Sequence, residues 1–463
     1  MDPAPYQARR ARLAQALRAV GGGVAIVPTA PERQRNGDSD HPYRFDSHFH
    51  YLTGFAEPDS WLILTGDGRS VLFCREKEVE REIWDGYRLG PRDAPGRLGV
   101  DEAFAVQALD EHLPALLADQ GAVWLPFGAA AELHARVRTW LERVRSRARQ
   151  GVACPHSLRD LGPLLGEMRL VKDDAEVVTL RRAAAISAAA HARAMRYCAA
   201  RFRAAPHAQV REYEIEAELL HEFRRHGAQS PAYTSVVAAG ANACILHYAA
   251  GDAVLRAGDL CLIDAGCELD GYASDITRTF PADGRFSPAQ RALYDIVLAA
   301  QQAAIAVTRP GARKQDAHWA AVRVLAEGML DVGLLDRGVH GNAEAVIESA
   351  AYRQFYMHGT GHWLGLDVHD VGEYLALEEA PVEQADALGG SVVRKPSRLL
   401  SAGMVVTIEP GLYVRPATGV PERFWNIGIR IEDDALLTPG GCELISRGVP
   451  VEADEIEALM REA

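Results

Sequence analysis

Residues 260–280 read LCLIDAGCELDGYASDITRTF, and their pattern predicts two antiparallel strands in the second half of the chain. An apolar run ends in Asp264, a glycine-containing turn follows, and a second run of alternating pattern opens with Asp275. Two antiparallel strands joined in this way can place the two carboxylates side by side. Close carboxylates repel each other unless one is protonated or a cation lies between them, and oxygen-rich pairs suit divalent metals. The alternative is that both aspartates only mark turns.

A histidine-rich stretch, MHGTGHWLGLDVHD, lies at residues 357–370. His358 and His362 have the spacing of the helical HExxH zinc motif, but no glutamate follows His358 and glycines occupy positions 359 and 361. These glycines make a helix unfavourable. We therefore predict a glycine-rich loop that exposes His358, His362 and His369. For any single histidine the alternative is a hydrogen-bonded core residue.

Two further apolar runs carry acidic residues. MVVTIEPGLY at residues 404–413 ends in Glu409, directly before a Pro-Gly pair that stops a strand. IGIRIED at residues 427–433 alternates Arg430 and Glu432 with isoleucines, so both side chains share one strand face. A charged strand face is often solvated, which is the alternative here, and we predict that Asp433 and Asp434 point to solvent or a turn. Four strand-borne acids with a histidine loop suit two divalent metals, about 3.5–4 Å apart, that activate a bridging water.

The composition is that of an ordinary globular protein. The chain has 463 residues, 48% apolar and 24% charged, which predicts two or three domains and excludes a disordered, fibrous or coiled-coil chain. A net charge of −13 argues against nucleic-acid or anionic-membrane partners. No apolar run approaches the roughly 20 residues that span a bilayer. Residues 1–19 lack the apolar core of a secretory signal, although their arginines leave a transit peptide open. Seven scattered cysteines without a CxxC pair predict reduced thiols in the cytoplasm and no cysteine-based zinc site.

The order of predicted elements divides the chain near residue 170. Residues 1–170 predict an α/β domain, because strand-like runs alternate with helical stretches. Residues 171–463 predict an α+β domain, with helices beside a mostly antiparallel sheet. The predicted strands of the first part cover residues 23–28, 60–65 and 123–126, with a helix over 129–149. The predicted helices of the second part cover residues 173–203, 210–225, 288–308 and 315–332. The polar stretch from Leu375 to Arg398 is predicted to be an inserted loop.

The four segments above, in this order and spacing, resemble those of the pita-bread metallopeptidases, most of all the bacterial Xaa-Pro aminopeptidase (aminopeptidase P) group. Further similar stretches are NACILHY at 242–248, RLVKDDAEVVTLRRAA at 169–184 and FHYLTGFAEPDSWLIL at 49–64. The resemblance implies a C-terminal pita-bread catalytic domain over residues 171–463, with helices around an antiparallel sheet. It also implies that the smaller N-terminal α/β domain, residues 1–170, serves oligomerisation and access to the active site.

The resemblance implies a role for each matching residue. Asp264 binds one metal ion, Asp275 and Glu432 bridge both ions, and His362 and Glu409 complete the shell of the second. Glu409 also transfers the proton of the attacking water. Supporting roles fall to His369 and His358 at the substrate and its oxyanion, His247 as a nearby donor, Arg430 and Tyr413 around the ligand carboxylates, and Trp84 at a neighbouring subunit's site.

The implied activity is hydrolysis of the bond before proline at a peptide N-terminus, by a hydroxide that bridges two divalent metal ions. Manganese is the usual metal of this group. The implied partners are peptides with proline in the second position and further copies of the chain, in a cytoplasmic homodimer or homotetramer. Alternatives are prolidase, a dipeptidase with the same ligands, a methionine aminopeptidase, whose chains are usually shorter, and a non-catalytic pita-bread binding protein, against which the intact ligand set argues. The stretch from Leu375 to Arg398 departs from the resemblance, since it is longer and its arginines have no clear match.

Overall fold

The computed structural model describes residues 2–128, 131–205, 207–385 and 391–462, and the chain divides into two compact units, Met1–Arg169 and Leu170–Ala463. The helices up to the division are α1 Ala4–Ala19, α2 Ser47–Thr53, α3 Val79–Asp85, α4 Gly90–Leu98, α5 Leu109–Leu117, α6 Ala131–Arg145 and α7 Gly162–Leu170. The strands of the first unit are β1 Val24–Pro28, β2 Gln34–Asn36, β3 Ser39–Asp40, β4 Trp61–Thr65, β5 Ser70–Cys74, β6 Glu102–Ala105, β7 Ala122–Leu125 and β8 Ser157–Asp160.

A mixed six-stranded sheet forms the centre of the first unit, in the order β6-β5-β4-β1-β7-β8. β1 pairs antiparallel with β4 and parallel with β7. Helices α5 and α6 pack on Val24 and Ile26 of β1, while α1 and α2 contact β4 and β1. The apolar runs of β1 and β4 are continuous rather than alternating because helices cover this sheet.

The second unit contains the longest helix and most of the strands. Its helices are α8 Asp174–Ala204, α9 Glu212–Arg225, α10 Pro288–Val307, α11 Lys314–Val332, α12 Arg337–His340, α13 Ala343–Glu348 and α14 Ala453–Arg461. Its strands are β9 Val210–Arg211, β10 Ser230–Pro231, β11 Val236–Ala239, β12 Val254–Leu255, β13 Leu260–Asp264, β14 Cys267–Leu269, β15 Tyr272–Ala273, β16 Thr277–Pro281, β17 Val382–Ala385, β18 Ser391–Arg394, β19 Val405–Ile408, β20 Gly411–Val414, β21 Ile427–Arg430, β22 Asp433–Thr438 and β23 Gly441–Leu444.

Antiparallel strands carry the acidic residues singled out in the sequence. In the sheet β11-β13-β16, Asp264 lies opposite Thr277. In the sheet β19-β22-β23, Ile408 lies opposite Asp433, and β20 pairs with β21 so that Gly411 lies opposite Arg430. The predicted fold class is confirmed, since the second unit combines helices with antiparallel sheets and the first is a smaller α/β unit.

The long helix α8 begins where the sequence predicted, because Asp173 and Glu176 form a reciprocal capping box at its N-terminus. Two predictions need correction. Residues 210–211 form β9 rather than the start of a helix, and the predicted loop from Leu375 to Arg398 contains the hairpin β17–β18. The β-branched pair Val392 and Val393 favours a strand there. Residues 386–390, and positions 129–130 of a predicted helix, lie outside the described residues.

All seven cysteines are free thiols, and five of them are buried, as predicted. Among the described residues, none of the helices combines the length and the apolar character that a membrane-crossing segment requires.

Candidate metal centre

A cavity of about 470 Å³ collects the five predicted metal ligands. Its walls include Asp264, Asp275, His362, Glu409 and Glu432. Three strands of the second unit end at this cavity: β13 ends in Asp264, β19 ends directly before Glu409, and β21 ends two residues before Glu432. The predicted histidine loop supplies the fifth ligand without forming a helix. The cavity therefore brings together residues that are far apart in the chain; Asp264 and Glu432, for example, are separated by 168 positions.

Direct contacts link the ligand side chains. Tyr233 donates its hydroxyl to Asp264 Oδ1 at 2.7 Å and to Asp275 Oδ1 at 2.5 Å. His362 Nε2 lies 3.3 Å from Asp275 Oδ2 and 3.7 Å from Glu409 Oε1. One ligand atom each of Asp275, His362 and Glu432 lies within 4.8 Å of the others. The two aspartates are neighbours as predicted, although the hairpin β14–β15 joins their strands instead of a simple turn.

The electrostatics of the cavity indicate a need for positive charge. Burial, together with the neighbouring aspartates, raises the pKa of Glu409 to about 7, although His362 and Arg430 oppose the shift. Burial and neighbouring carboxylates also raise the pKa of Asp275 and place that of Glu432 well above its ordinary value. Burial lowers the pKa of His362, but its contact with Asp275 outweighs burial and raises the pKa to about 9. Four carboxylates and an imidazole around one cavity form a donor set that fits divalent metal ions.

Arg430 connects the ligands to the histidine loop. Its guanidinium donates to Asp264 Oδ2 at 2.5 Å, to the Tyr413 hydroxyl at 2.9 Å and to Thr277 Oγ1 at 3.1 Å. The Tyr413 hydroxyl lies 2.8 Å from His358 Nε2. Burial, reinforced by Arg430, lowers the pKa of His358 to about 3, so its imidazole is neutral. Arg430 thus lies beside the carboxylate of Asp264, whereas the Tyr413 hydroxyl contacts Arg430 and His358.

Arg430→Lys is expected to weaken metal binding by about 10–100-fold. The lysine ammonium keeps the positive charge but lacks the planar set of N–H donors that orients Asp264. Competition with a metal-sensitive chelator dye measures the affinity. Arg291→Lys, at an exposed ion pair on α10, is the matched control and should bind metal as the unmodified enzyme does. Equal affinities of both variants would contradict the role given to Arg430.

Two anchors hold the remaining histidines. The His369 ring contacts the His362 ring at a tilt of 44°, with ring centroids 4.0 Å apart, and the neighbouring Asp370 forms a buried ion pair with Lys172 at 2.7 Å. His247 lines the cavity from a loop after β11. Burial, followed by the charge of His362, lowers the pKa of His369. The structure therefore brings all three supporting histidines, His247, His358 and His369, to the same cavity.

The sequence did not reveal how the His247 loop is held. Glu212, the first residue of α9, is buried and accepts hydrogen bonds from Ala239 N, Asn242 Nδ2, Tyr248 OH and Gly251 N at 2.8–3.0 Å. An acid at a helix start is expected from the helix dipole alone, so its position gave no signal of this role. Tyr233 was missed for a similar reason, since it lies outside the four motif segments.

The prediction for Asp433 and Asp434 is wrong. Both side chains are fully buried on β22, the middle strand of its sheet. Asp433 Oδ1 accepts from Arg278 Nη2 at 2.8 Å, and Asp434 Oδ2 accepts from the backbone nitrogen of Asp275 at 3.2 Å. A buried arginine thus compensates a charge that the sequence pattern placed in solvent.

Gly361 of the histidine loop is required for a steric reason. A Cβ atom at position 361 would lie 1.9 Å from the carbonyl oxygen of Thr407 on β19, so a larger residue cannot occupy the loop at that approach. The segment 358–361 therefore lies directly against the strand that ends in Glu409.

Trp84 lies on α3 of the first unit with 85% of its surface exposed. The described residues that line the metal cavity all belong to the second unit. The structure of one chain therefore does not place Trp84 among the site residues.

An α+β unit whose strand ends hold this donor set defines a metallopeptidase of the pita-bread class. Residues 178–439 match metallopeptidase family M24, and residues 6–124 match the aminopeptidase P N-terminal domain. The chain belongs to family M24 and is a metallopeptidase hydrolase of the Xaa-Pro aminopeptidase group, which confirms the resemblance.

Individual relatives extend over the whole chain. The Xaa-Pro aminopeptidase of Escherichia coli (strain K12) is 42% identical over 98% of this chain and 97% of its own. The Xaa-Pro aminopeptidase of Haemophilus influenzae is 41% identical over 93% and 91%. The structure of Pseudomonas aeruginosa aminopeptidase PepP shares 46% identity with a TM-score of 0.89, covering 98% of each chain.

Proposed function

We propose that this enzyme removes the first residue from peptides that carry proline in the second position, using two divalent ions held by the five ligands. The observation that carries the proposal is the convergence of Asp264, Asp275, His362, Glu409 and Glu432 in one cavity. When bound, the ions lower the pKa of a shared water towards neutrality and supply a hydroxide nucleophile. Asp264 would hold one ion, Asp275 and Glu432 would be shared by both ions, and His362 and Glu409 would complete the ligand set of the second ion.

Side chains of the protein transfer the protons and donate hydrogen bonds in the reaction. Glu409 accepts the proton of the water and returns it to the leaving nitrogen, because its carboxylate lines the cavity beside His362. His369 donates to the developing oxyanion, because among the described residues its ring nitrogens have no hydrogen-bond partner. His358 has Gly359 O at 2.7 Å from Nδ1 and Tyr413 OH at 2.8 Å from Nε2, so it contacts the substrate with its ring. His247 is the further donor at the cavity wall.

The substrate's free amino group binds near the acidic side of the cavity, which explains removal of a single N-terminal residue. Proline has no amide hydrogen, so its tertiary amide requires no acceptor at that position. Structures of the Escherichia coli aminopeptidase P in complex with substrate, and with the inhibitor Pro-Leu, support the substrate class. That protein has also been studied in Zn-substituted form. Four carboxylates against one imidazole favour manganese as the resident metal here.

Three peptides test the substrate class. We expect hydrolysis of Ala-Pro-Ala before proline and no hydrolysis of Ala-Ala-Ala, measured as release of free alanine. Cleavage of the dipeptide Ala-Pro without cleavage of Ala-Pro-Ala would identify a prolidase instead. A preparation that cleaves no peptide and binds no divalent metal would be the non-catalytic binding protein.

The first unit, with residues 1–170, is proposed to serve assembly and access to the active site in a cytoplasmic homodimer or homotetramer. Val79, Ile83, Trp84 and Tyr87 expose a large apolar surface on and after α3, which is typical of an interface. Free, mostly buried thiols support a reducing compartment, and the net charge of −13 supports peptides rather than nucleic acid or anionic membranes as partners.

Mixing two inactive variants is expected to restore activity if Trp84 enters the site of a neighbouring copy. Trp84→Ala removes the access residue and Glu409→Gln the proton carrier, so a mixed oligomer contains one complete site built from both chains. Dissociation and reassembly before the peptide assay should raise activity above that of either variant. No gain after mixing, or a monomer in sedimentation velocity, would contradict the shared site.

A further inference from the structure

A second cavity, of about 410 Å³, lies beside the metal cavity in the same unit. His358, Gly359 and Gly361 line both cavities, so the segment 358–361 is their common wall. The first turns of α11, with Lys314 and His318, form another part of the lining.

The two cavities differ in charge. The metal cavity is lined by four acidic residues, whereas no described residue that lines the second cavity is acidic. Lys314, Arg353 and Arg394 line the second cavity as cations. Arg353 has no carboxylate within ion-pair distance among the described residues. Lys314 and Arg353 therefore bring positive charge to a cavity whose described lining contains no carboxylate.

Lys314 is held by neutral groups alone. Its ammonium donates to the carbonyl oxygen of Gly361 and lies 4.6 Å from the ring centroid of Tyr374. Burial lowers its pKa to about 8, although Glu409 opposes the shift. Burial, followed by the charges of Lys314 and Arg353, lowers the pKa of His318 to about 4. A bound anion would relieve this unbalanced positive charge.

We propose that the second cavity is a subsite for a carboxylate of the substrate on the residues that follow proline. The inference rests on the proposed function and adds a preference for acidic peptides. The part of the substrate that follows proline passes His358, leaves the acidic cavity and reaches the cationic cavity on the other side of the common wall. The carboxylate belongs either to an acidic side chain after proline or to the C-terminus of a short peptide, because both present the same group to Lys314 and Arg353.

Peptide pairs separate these two sources. Ala-Pro-Glu-amide and Ala-Pro-Gln-amide differ only in a side-chain charge, and Ala-Pro-Gln with a free C-terminus adds only a terminal charge. We expect kcat/KM for at least one charged peptide to exceed that for the neutral amide by about 10–100-fold, as for hydrogen bonds to a charged group. The preference should appear mainly in KM and should shrink at high ionic strength.

Two variants locate the preference. Lys314→Gln keeps a donor for Gly361 O but removes the charge, and Arg353→Gln removes a charge without touching that loop contact. Each should lower kcat/KM for the charged peptide towards that for the neutral amide. Arg323→Gln is the matched control, because Arg323 is exposed on α11 and outside the cavity lining, and it should keep the preference.

Equal rates for charged and neutral peptides, or a preference that survives both cavity variants, would overturn the subsite. If Ala-Pro-Gln-amide is still hydrolysed in that case, the proposed function stands. Failure of the subsite can therefore be told apart from failure of the proposed function. If the neutral amide and the charged peptides all resist hydrolysis, the proposed function fails and the subsite with it.

Discussion

Removal of divalent ions is expected to abolish peptide hydrolysis and to lower the unfolding temperature, and adding manganese should reverse both effects. Asp264, Asp275, Glu409 and Glu432 crowd one cavity, and without cations their mutual repulsion opposes folding. Ions that bind only the folded protein stabilise it by mass action. Chelation followed by dialysis, with activity and thermal unfolding measured before and after metal addition, tests the expectation. Full activity after exhaustive chelation would contradict it.

The ion-free protein should also respond to pH in a particular direction. The pKa of Glu409 is raised from 4.5 to about 7 in the folded state, and those of Asp275 and Glu432 move the same way. The folded protein therefore binds more protons than the unfolded chain above pH 4.5, so its stability falls as the pH rises towards about 7. Bound ions should suppress this loss. Thermal unfolding at pH 4.5 and at about pH 7, with and without metal, measures this loss of stability.

A single ligand substitution should imitate chelation. Glu432→Gln removes the carboxylate proposed to bridge both ions and is expected to lose metal and activity together. Glu443→Gln is the matched control, because Glu443 lies on β23 in an exposed ion pair. This variant should keep its metal and its activity. Metal analysis of the two purified variants gives the answer, and a Glu432→Gln protein with full metal content would contradict the bridging role.

Arg278→Met is expected to lower the free energy of unfolding by about 3–5 kcal/mol, because the buried Asp433 then keeps only Arg447, whose Nε lies 2.9 Å from Asp433 Oδ2, as a counter-charge. Arg278 also donates to the carbonyl oxygens of Glu432 and Thr277 at 2.6 and 2.9 Å, so both strands lose an anchor. Ser446 and Gln301 still contact Asp433, which favours the lower end of this range.

Denaturant unfolding of the metal-loaded enzyme measures the effect on stability. Arg181→Met is the matched control, since Arg181 pairs with Glu443 at the surface and such pairs contribute at most about 1 kcal/mol. Similar midpoints for both variants would show that Asp433 does not depend on Arg278. Loss of metal affinity in Arg278→Met alone would link this buried pair to the neighbouring ligand Glu432.

The sequence singled out the residues that meet in the metal cavity because each signal was local. Asp264 and Glu409 end apolar runs next to turn residues, and the glycines around His358 and His362 exclude a helix. The family resemblance then assigned a role to every ligand. Local signals of this kind also predicted the starts of α8 and α10 within one residue.

Long-range contacts explain what the sequence did not predict. The sequence pattern placed Asp433 in solvent because its fully buried partner, Arg278, lies 155 positions away. Glu212 and Tyr233 have no motif around them, and only the folded chain brings them to the His247 loop and the ligand carboxylates. The sequence predicts a loop at the hairpin β17–β18, because most residues there are polar and the β-branched run, Val392 and Val393, is short.

The wall shared by the two cavities has a consequence for engineering. Position 361 accepts glycine alone because of the approach to Thr407, and His358 is tied to Tyr413. Libraries that aim to change peptide selectivity should therefore leave segment 358–361 untouched and randomise Gln315 and Arg353, which also line the second cavity. Such libraries can retune which sequences are trimmed while the hydrolytic centre keeps its construction.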